Sequence, residues 1–469
     1  MTELPQLEDT HLDKEQKKIT PQRVAFVVYV AFATFLCAGV IWGWSALLLI
    51  LEKNGLYENL CDTENKICPE RDKKLNLIFT SGTFAFFFSG LFGGISLDRF
   101  GSVKVYGVGS FFFTLGFIIF GASDLSEFNG YIAGMVFLGA SSPCLLYSLM
   151  SIGRFYPGWE STIIGIVNCC FDASAIMFAI FKLIVDGTGA RLGTIFIIYG
   201  FLCFYLAVGV FAWPELGLWN RINNHKMEPV EEHSKPNTKQ ISFLELIRTQ
   251  LLTLDYLFFF MFMIVSVTWV STYPGVVTLQ LASFFGKSKG DQLATIFNYI
   301  LPAGIFAIPG VGYLLDRKGL FISFLVLASL LTAWSILNMI KIVGVQILNF
   351  LIYTVTRALL YSALVSYLVQ TFGFSSMGAI YGLSSLVCGV SVFLVSQYFL
   401  VEYTQVELKG DYKIPGIVQI VTMATCYALP IYVFFRGRRR STESMTASPS
   451  QLNLMEGSQF SSDESIEMN

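Results

Sequence analysis

Twelve apolar stretches follow one another along the chain, at about 24–51, 75–97, 103–122, 129–151, 160–185, 191–213, 254–281, 291–315, 320–340, 344–370, 375–400 and 414–435. A barrel strand crosses a bilayer in about ten residues, whereas a helix needs about 20. Runs of this length therefore predict helices. Polar sequence interrupts the series once at length, over 214–253, and leaves six stretches on either side. Residues 1–23 are polar and charged, without a short apolar core, so the first span is expected to act as its own insertion signal. The pattern predicts an all-α polytopic membrane protein of 12 transmembrane helices in two six-helix halves, 24–213 and 254–435. A cytoplasmic N-terminal tail (1–23), a cytoplasmic linker (214–253) and a disordered, Ser- and Glu-rich cytoplasmic tail (436–469) complete it.

Composition sharpens the picture. Of 469 residues, 54% are hydrophobic and 14% charged, against about 25% charged in a soluble domain. Too few charges remain to coat a water-soluble surface. A net charge of −2 gives no footing for nucleic acid. Forty glycines suit helices that must approach one another closely.

Lys and Arg set the expected orientation. With the N-terminus cytoplasmic, 18 of them fall on the cytoplasmic side and 11 outside. Arg436 and Arg438–Arg440, directly after the last span, strengthen that bias. The run Arg438-Arg439-Arg440-Ser441-Thr442 reads as a membrane stop before a solvated tail. Kinases or trafficking proteins could also engage it.

A repeat links the halves. Gly94-x3-Asp98-Arg99-x-Gly101 follows the second span, and Gly312-x3-Asp316-Arg317-x-Gly319 follows the eighth. Duplicated halves are a mark of secondary transporters. Each Asp can face the positive end of a neighbouring helix dipole, and the glycines allow a tight turn. Asp98, Arg99, Asp316 and Arg317 are thus expected to latch, and so gate, the cytoplasmic side. The motif resembles the loop motif of the major facilitator superfamily, with an incomplete second basic pair (Ser102, Val103, then Lys104).

Seven of nine cysteines fall in apolar spans, as packing residues. Cys61 and Cys68 share the first outer loop, where a disulfide is expected. All three histidines lie in the tail or linker, so no histidine relay runs through the membrane. Neither H-E-x-x-H nor G-x4-G-K-[ST] occurs. No metal, cofactor, enzymatic activity or ATP-driven pumping is expected.

Three formal charges lie well inside spans: Asp172, Lys182 and Arg357. Such charges are costly and usually face a cavity or a partner. Asp172 and Arg357 fall near the midplane, where substrates of secondary transporters bind. Lys182 sits near the outer end of its span and can snorkel. Asn168 precedes Asp172 by one helical turn, and Tyr361 follows Arg357 by one, so each charge has a neutral hydrogen-bonding neighbour on its own face. Trp44 and Ser45, beside Gly39, Trp42 and Gly43, add aromatic and polar surface in the first span, and Trp269 does so in the seventh. The proposed substrate-binding set is Asp172, Arg357, Asn168, Tyr361, Trp44, Ser45 and Trp269. Ser141-Ser142-Pro143 reads as a local helix break.

The sequence resembles solute carrier family 43, the facilitative L-type amino-acid and equilibrative nucleobase transporters of the major facilitator fold. The resemblance is carried by Gly43-Trp44-Ser45, Leu60-Cys61, Leu75–Thr80 with Gly82, Phe171–Ala175, Ile180–Ile184 and Arg357. It implies movement of a neutral solute down its gradient without a coupling ion. It also implies that Asp172, Lys182 and Arg357 match charged positions of the nucleobase branch, while the amino-acid branch tends to lack the Asp. The first outer loop carries no Asn-x-Ser/Thr acceptor, a departure from animal members.

The expected function is uniport of a small neutral organic solute, a purine-like nucleobase or a large neutral amino acid, across the bilayer of the plasma membrane or an internal membrane. Proton-coupled symport through Asp172 and a non-transporting scaffold are the alternatives.

Overall fold

The computed structural model describes residues 21–61, 68–123, 128–156, 160–212, 249–372 and 374–446. Among them, ten helices are long and apolar enough to cross a membrane, or eleven if the bent pair Pro21–Cys37 and Val40–Lys53 is one span. The fold is all-α and polytopic. The eighth expected stretch, 291–315, is divided: helix Lys287–Ile300 gives way to a 3-10 segment, Leu301–Ala307, before helix Ile308–Leu337 begins. Pro302 explains the interruption, since it has no N–H to offer the preceding turn.

Local chemistry sets the helix ends. Thr253 caps helix Leu254–Phe285 by accepting from the Tyr256 N–H at 3.2 Å. Helix Pro69–Phe100 starts with Pro in its first turn, with Glu70 and Asp72 close behind. Gly101 and Gly319, in the two repeated loop motifs, both take left-handed φ, 79° and 76°. A side chain would be strained there. The two copies therefore turn the chain in the same way.

Before residue 213, Pro69–Phe100 and Ser102–Ala122 both pack on Tyr131–Met150, and Ser102–Ala122 also packs on Leu192–Ala212. After residue 248, Leu254–Phe285 packs on Lys287–Ile300, and Ile308–Leu337 on Val343–Phe372. The two sets meet chiefly where Pro69–Phe100 runs along Phe374–Leu394. Side chains such as Phe88, Phe111, Ile198 and Tyr205 point outward, as a lipid-facing rim requires.

One expectation is corrected. Pro143 does not break its helix: Tyr131–Met150 runs through it. The Ser141 and Ser142 hydroxyls both donate to the Leu138 carbonyl, and such side-chain bonds let a membrane helix carry a proline. Helix Ala428–Thr446 continues past the arginine run. No Gly or Pro stands between Gly437 and Pro449 to stop it.

Candidate functional site

Two helix discontinuities face each other at the centre of the N-terminal set. One is the 3-10 segment Val40–Gly43, the other Ser174–Ile176. The Gly39 N–H donates to Ser174 Oγ at 3.2 Å. The backbones lie so close that a Cβ on Gly39 would sit 2.1 Å from the Phe171 carbonyl oxygen, and one on Gly43 2.1 Å from that of Ala175. Asp172 and Trp42 are held at this contact.

Arg357 reaches the same place from helix Val343–Phe372. Its Nη2 lies 3.1 Å from Asp172 Oδ1, and its Cζ lies 4.9 Å from the centroid of the Trp42 ring. The Arg357 side chain is 3% exposed and that of Asp172 21%. A buried guanidinium needs a full set of acceptors. Here neither Nη1 nor Nη2 has a hydrogen bond of good geometry with any described residue. The indole N–H of Trp42 is likewise buried without an acceptor. The site thus holds more donors than acceptors, next to a carboxylate that is still partly open. A guest that offers acceptor atoms to Arg357 and a donor to Asp172 would satisfy it.

Aromatic rings wall this centre. Trp42 packs edge-on to Phe86 at 5.4 Å and to Phe79 at 6.5 Å, and Phe86 lies 6.1 Å from Phe171. Tyr361 is half-buried, and its OH lies 3.0 Å from Ser271 Oγ. Asn168 is half-buried one turn before Asp172.

Three other expected residues are committed elsewhere. Trp44 is fully buried, stacked on Phe79 at 5.7 Å. Ser45 Oγ donates to Asn298 Oδ1 at 2.6 Å. Trp269 Nε1 donates to Thr422 Oγ1 at 2.9 Å. Lys182 pairs with Asp186 at 3.1 Å, away from Arg357. Arg99, in the last turn of Pro69–Phe100, and Arg317, within Ile308–Leu337, are exposed. The side chains of Asp98 and Asp316 lie outside the described residues. The Cys61 and Cys68 sulfurs meet, with Cα atoms 5.5 Å apart.

At the end of the bundle carrying those cysteines, the two helix sets are bound together. Lys73 pairs with Glu402 at 2.7 Å, and Lys287 pairs with Glu52. Asn76 Nδ2 donates to Gln397 Oε1 at 3.0 Å, and Gln397 Nε2 to the Lys73 carbonyl at 3.1 Å. Every residue over 36–51 and over 266–278 is buried, so both helices are wrapped on all sides there. This end is shut. The sequence reading missed Trp42 as a partner of Arg357, and it missed the six clasp residues Glu52, Lys73, Asn76, Lys287, Gln397 and Glu402. Asn76 and Gln397 carried a signal as amides inside apolar runs. Glu52 and Lys287, at span ends, looked like ordinary snorkelling charges.

The family described as Major Facilitator Superfamily matches residues 27–396. Among individual proteins, Protein FMP42 of Saccharomyces cerevisiae is 22% identical over 494 aligned positions, covering 90% of this chain and 96% of its own. Large neutral amino acids transporter small subunit 3 of Homo sapiens is 29% identical over 38% of this chain. Equilibrative nucleobase transporter 1 of Bos taurus is 27% identical over 36% of it. The matched stretch spans 34% and 37% of those two relatives' own lengths.

Proposed function

The chain belongs to the Major Facilitator Superfamily, and from that premise we propose that it is a uniporter of a small neutral solute, a purine-like nucleobase or a large neutral amino acid. It is a membrane transporter of small organic solutes, with a transport fold and not a catalytic one. Kinship to amino-acid and nucleobase transporters supports the substrate classes, and solute carrier family 43 is the subgroup we favour.

One observation carries the reading. Arg357 and Asp172, from the two sets of helices, pair beside an aromatic wall with donor capacity left over. An α-amino acid offers a carboxylate to Arg357 and an ammonium to Asp172. A purine offers ring and exocyclic acceptors to the one and N–H donors to the other, and its face can stack on Phe86 or Trp42. Asn168 and Tyr361 complete the polar lining.

In this reading the bent pair Pro21–Lys53 is the first of 12 spans, and the interrupted segment after Lys287 is the eighth. The halves 24–213 and 254–435 rock about the central pair. Asp98, Arg99, Asp316 and Arg317 latch the cytoplasmic face. Cys61 and Cys68 form a disulfide on the outer face, consistent with the plasma membrane.

Uptake of radiolabelled adenine and L-leucine into proteoliposomes containing the purified chain tests the proposal. Saturable flux of either, reaching equal concentrations inside and out, is the expected result. No saturable flux of either would remove it. Accumulation above equality that vanishes when a pH gradient is collapsed would instead favour proton symport, with Asp172 the acidic group to examine.

A further inference from the structure

Arg357 rests in a cradle built by the opposite set of helices. Asp172 Oδ1 stands 3.1 Å from Nη2, and the face of Trp42 stands 4.9 Å from Cζ. Both partners are fixed where Val40–Gly43 packs against Ser174–Ile176. With the guanidinium almost wholly buried, Asp172 and Trp42 stand against its charge from within the protein itself.

A uniporter must return empty. During that return the central cavity is sealed from both sides, and an unpaired guanidinium there would carry the full penalty of a buried charge. The two contacts supply what the empty state needs. A carboxylate cancels the charge, and a ring quadrupole attracts a guanidinium over its face. They are also incomplete, since Nη1 and Nη2 keep unused hydrogen-bonding capacity. A solute can therefore compete for Arg357 instead of being shut out by a saturated ion pair.

On the reading of this chain as a uniporter, we infer that Asp172 and Trp42 together act as a resting partner for Arg357 that permits the empty carrier to reorient. Trp42 is a positioning residue in this step: it orients and compensates the guanidinium. Solute entry displaces the resting contacts, and solute exit restores them. Loss of the resting partner leaves the loaded carrier able to cross and the empty carrier stranded. Such a protein exchanges solute but cannot deliver it net.

The test measures two fluxes of the same solute on the same proteoliposomes, net efflux into solute-free buffer and exchange against saturating external solute. Adenine and L-leucine serve as probes. Because both fluxes start from saturated carrier, a change in affinity cancels in their ratio. Asp172→Asn is expected to raise the exchange-to-net ratio at least tenfold over wild type. Asp172→Glu should return it toward wild type. Trp42→Leu should move the ratio in the same direction by about threefold, and Trp42→Phe, which keeps a ring face, by less. If Asp172→Asn does not reach the membrane, or loses exchange together with net flux because Asp172 also holds the solute, the two Trp42 variants decide by the same ratio. An unchanged ratio overturns the inference while leaving transport itself intact. Absence of saturable wild-type flux removes the uniport reading and the inference with it.

Discussion

Ser45 donates a 2.6 Å hydrogen bond to Asn298, and the two side chains are 0% and 1% exposed. The bond joins helix Trp44–Lys53 to helix Lys287–Ile300, so it crosses between the two sets of helices. Together with Lys73–Glu402, Glu52–Lys287 and Asn76–Gln397 it closes one end of the bundle. A pathway that opens at that end must break all four.

The buried member of this clasp should matter most. Ser45→Ala leaves Asn298 Oδ1 without its donor, at a cost of about 1–3 kcal/mol to the closed state. The closed population should fall by roughly 5- to 160-fold relative to the open one. Spin labels at Lys53 and Lys289, one in each set, would report this as a longer distance distribution. An unchanged distribution would show that the bond does not hold the gate.

The half-exposed pair should matter least. The Lys73 and Glu402 side chains are 37% and 36% exposed, a setting in which an ion pair contributes about 0.2–1 kcal/mol and is screened by salt. Lys73→Ala should change flux by less than about fivefold, and the difference should fade as salt rises from about 0.05 to about 0.5 M and the Debye length shortens about threefold. A large, salt-insensitive loss would mean that Lys73 serves the pathway in another way.

Arg357→Ala should abolish measurable transport while the protein still reaches the membrane. Truncating one partner of a buried charge pair costs about 2–5 kcal/mol, on the order of a 100-fold loss of flux. Flux normalised to membrane-embedded protein is the measurement. Wild-type kinetics would move Arg357 to a purely structural role.

Gly39→Ala and Gly43→Ala should destabilise the fold itself. Each added methyl would meet a backbone carbonyl oxygen at 2.1 Å, and neither 3-10 segment can withdraw without releasing Asp172 or Trp42. Overpacking of this kind costs about 1–3 kcal/mol. Thermal unfolding in detergent should shift downward for both variants. A wild-type melting curve would show that the contact between the segments can relax.

Cys61→Ser should lower the yield of folded protein at the membrane more than the flux per molecule. A disulfide over so short a loop contributes on the order of 2 kcal/mol. It lies beside Arg71, which donates to the Leu56 and Glu52 carbonyls and so braces the loop near the clasp. A turnover defect larger than the yield defect would place the loop in the transport cycle itself.

The sequence by itself determined the membrane class, the position of most helices, the duplicated loop turn and the identity of the three intramembrane charges. These are local properties: apolar runs, glycine at a left-handed turn, and a formal charge where water is absent all act over one or two helical turns. Tertiary structure alone decided who meets whom. The sequence placed Asp172 and Lys182 at different depths of one span, but only the structure shows that the first pairs with Arg357 and the second with Asp186. Trp42 and Trp44 are two residues apart, yet one lies over the guanidinium and the other against Phe79. Hydrophobic pattern fixes which residues enter the bilayer, but partner choice depends on how helices distant in sequence stack, and that is set by close contacts such as Gly39 on Phe171.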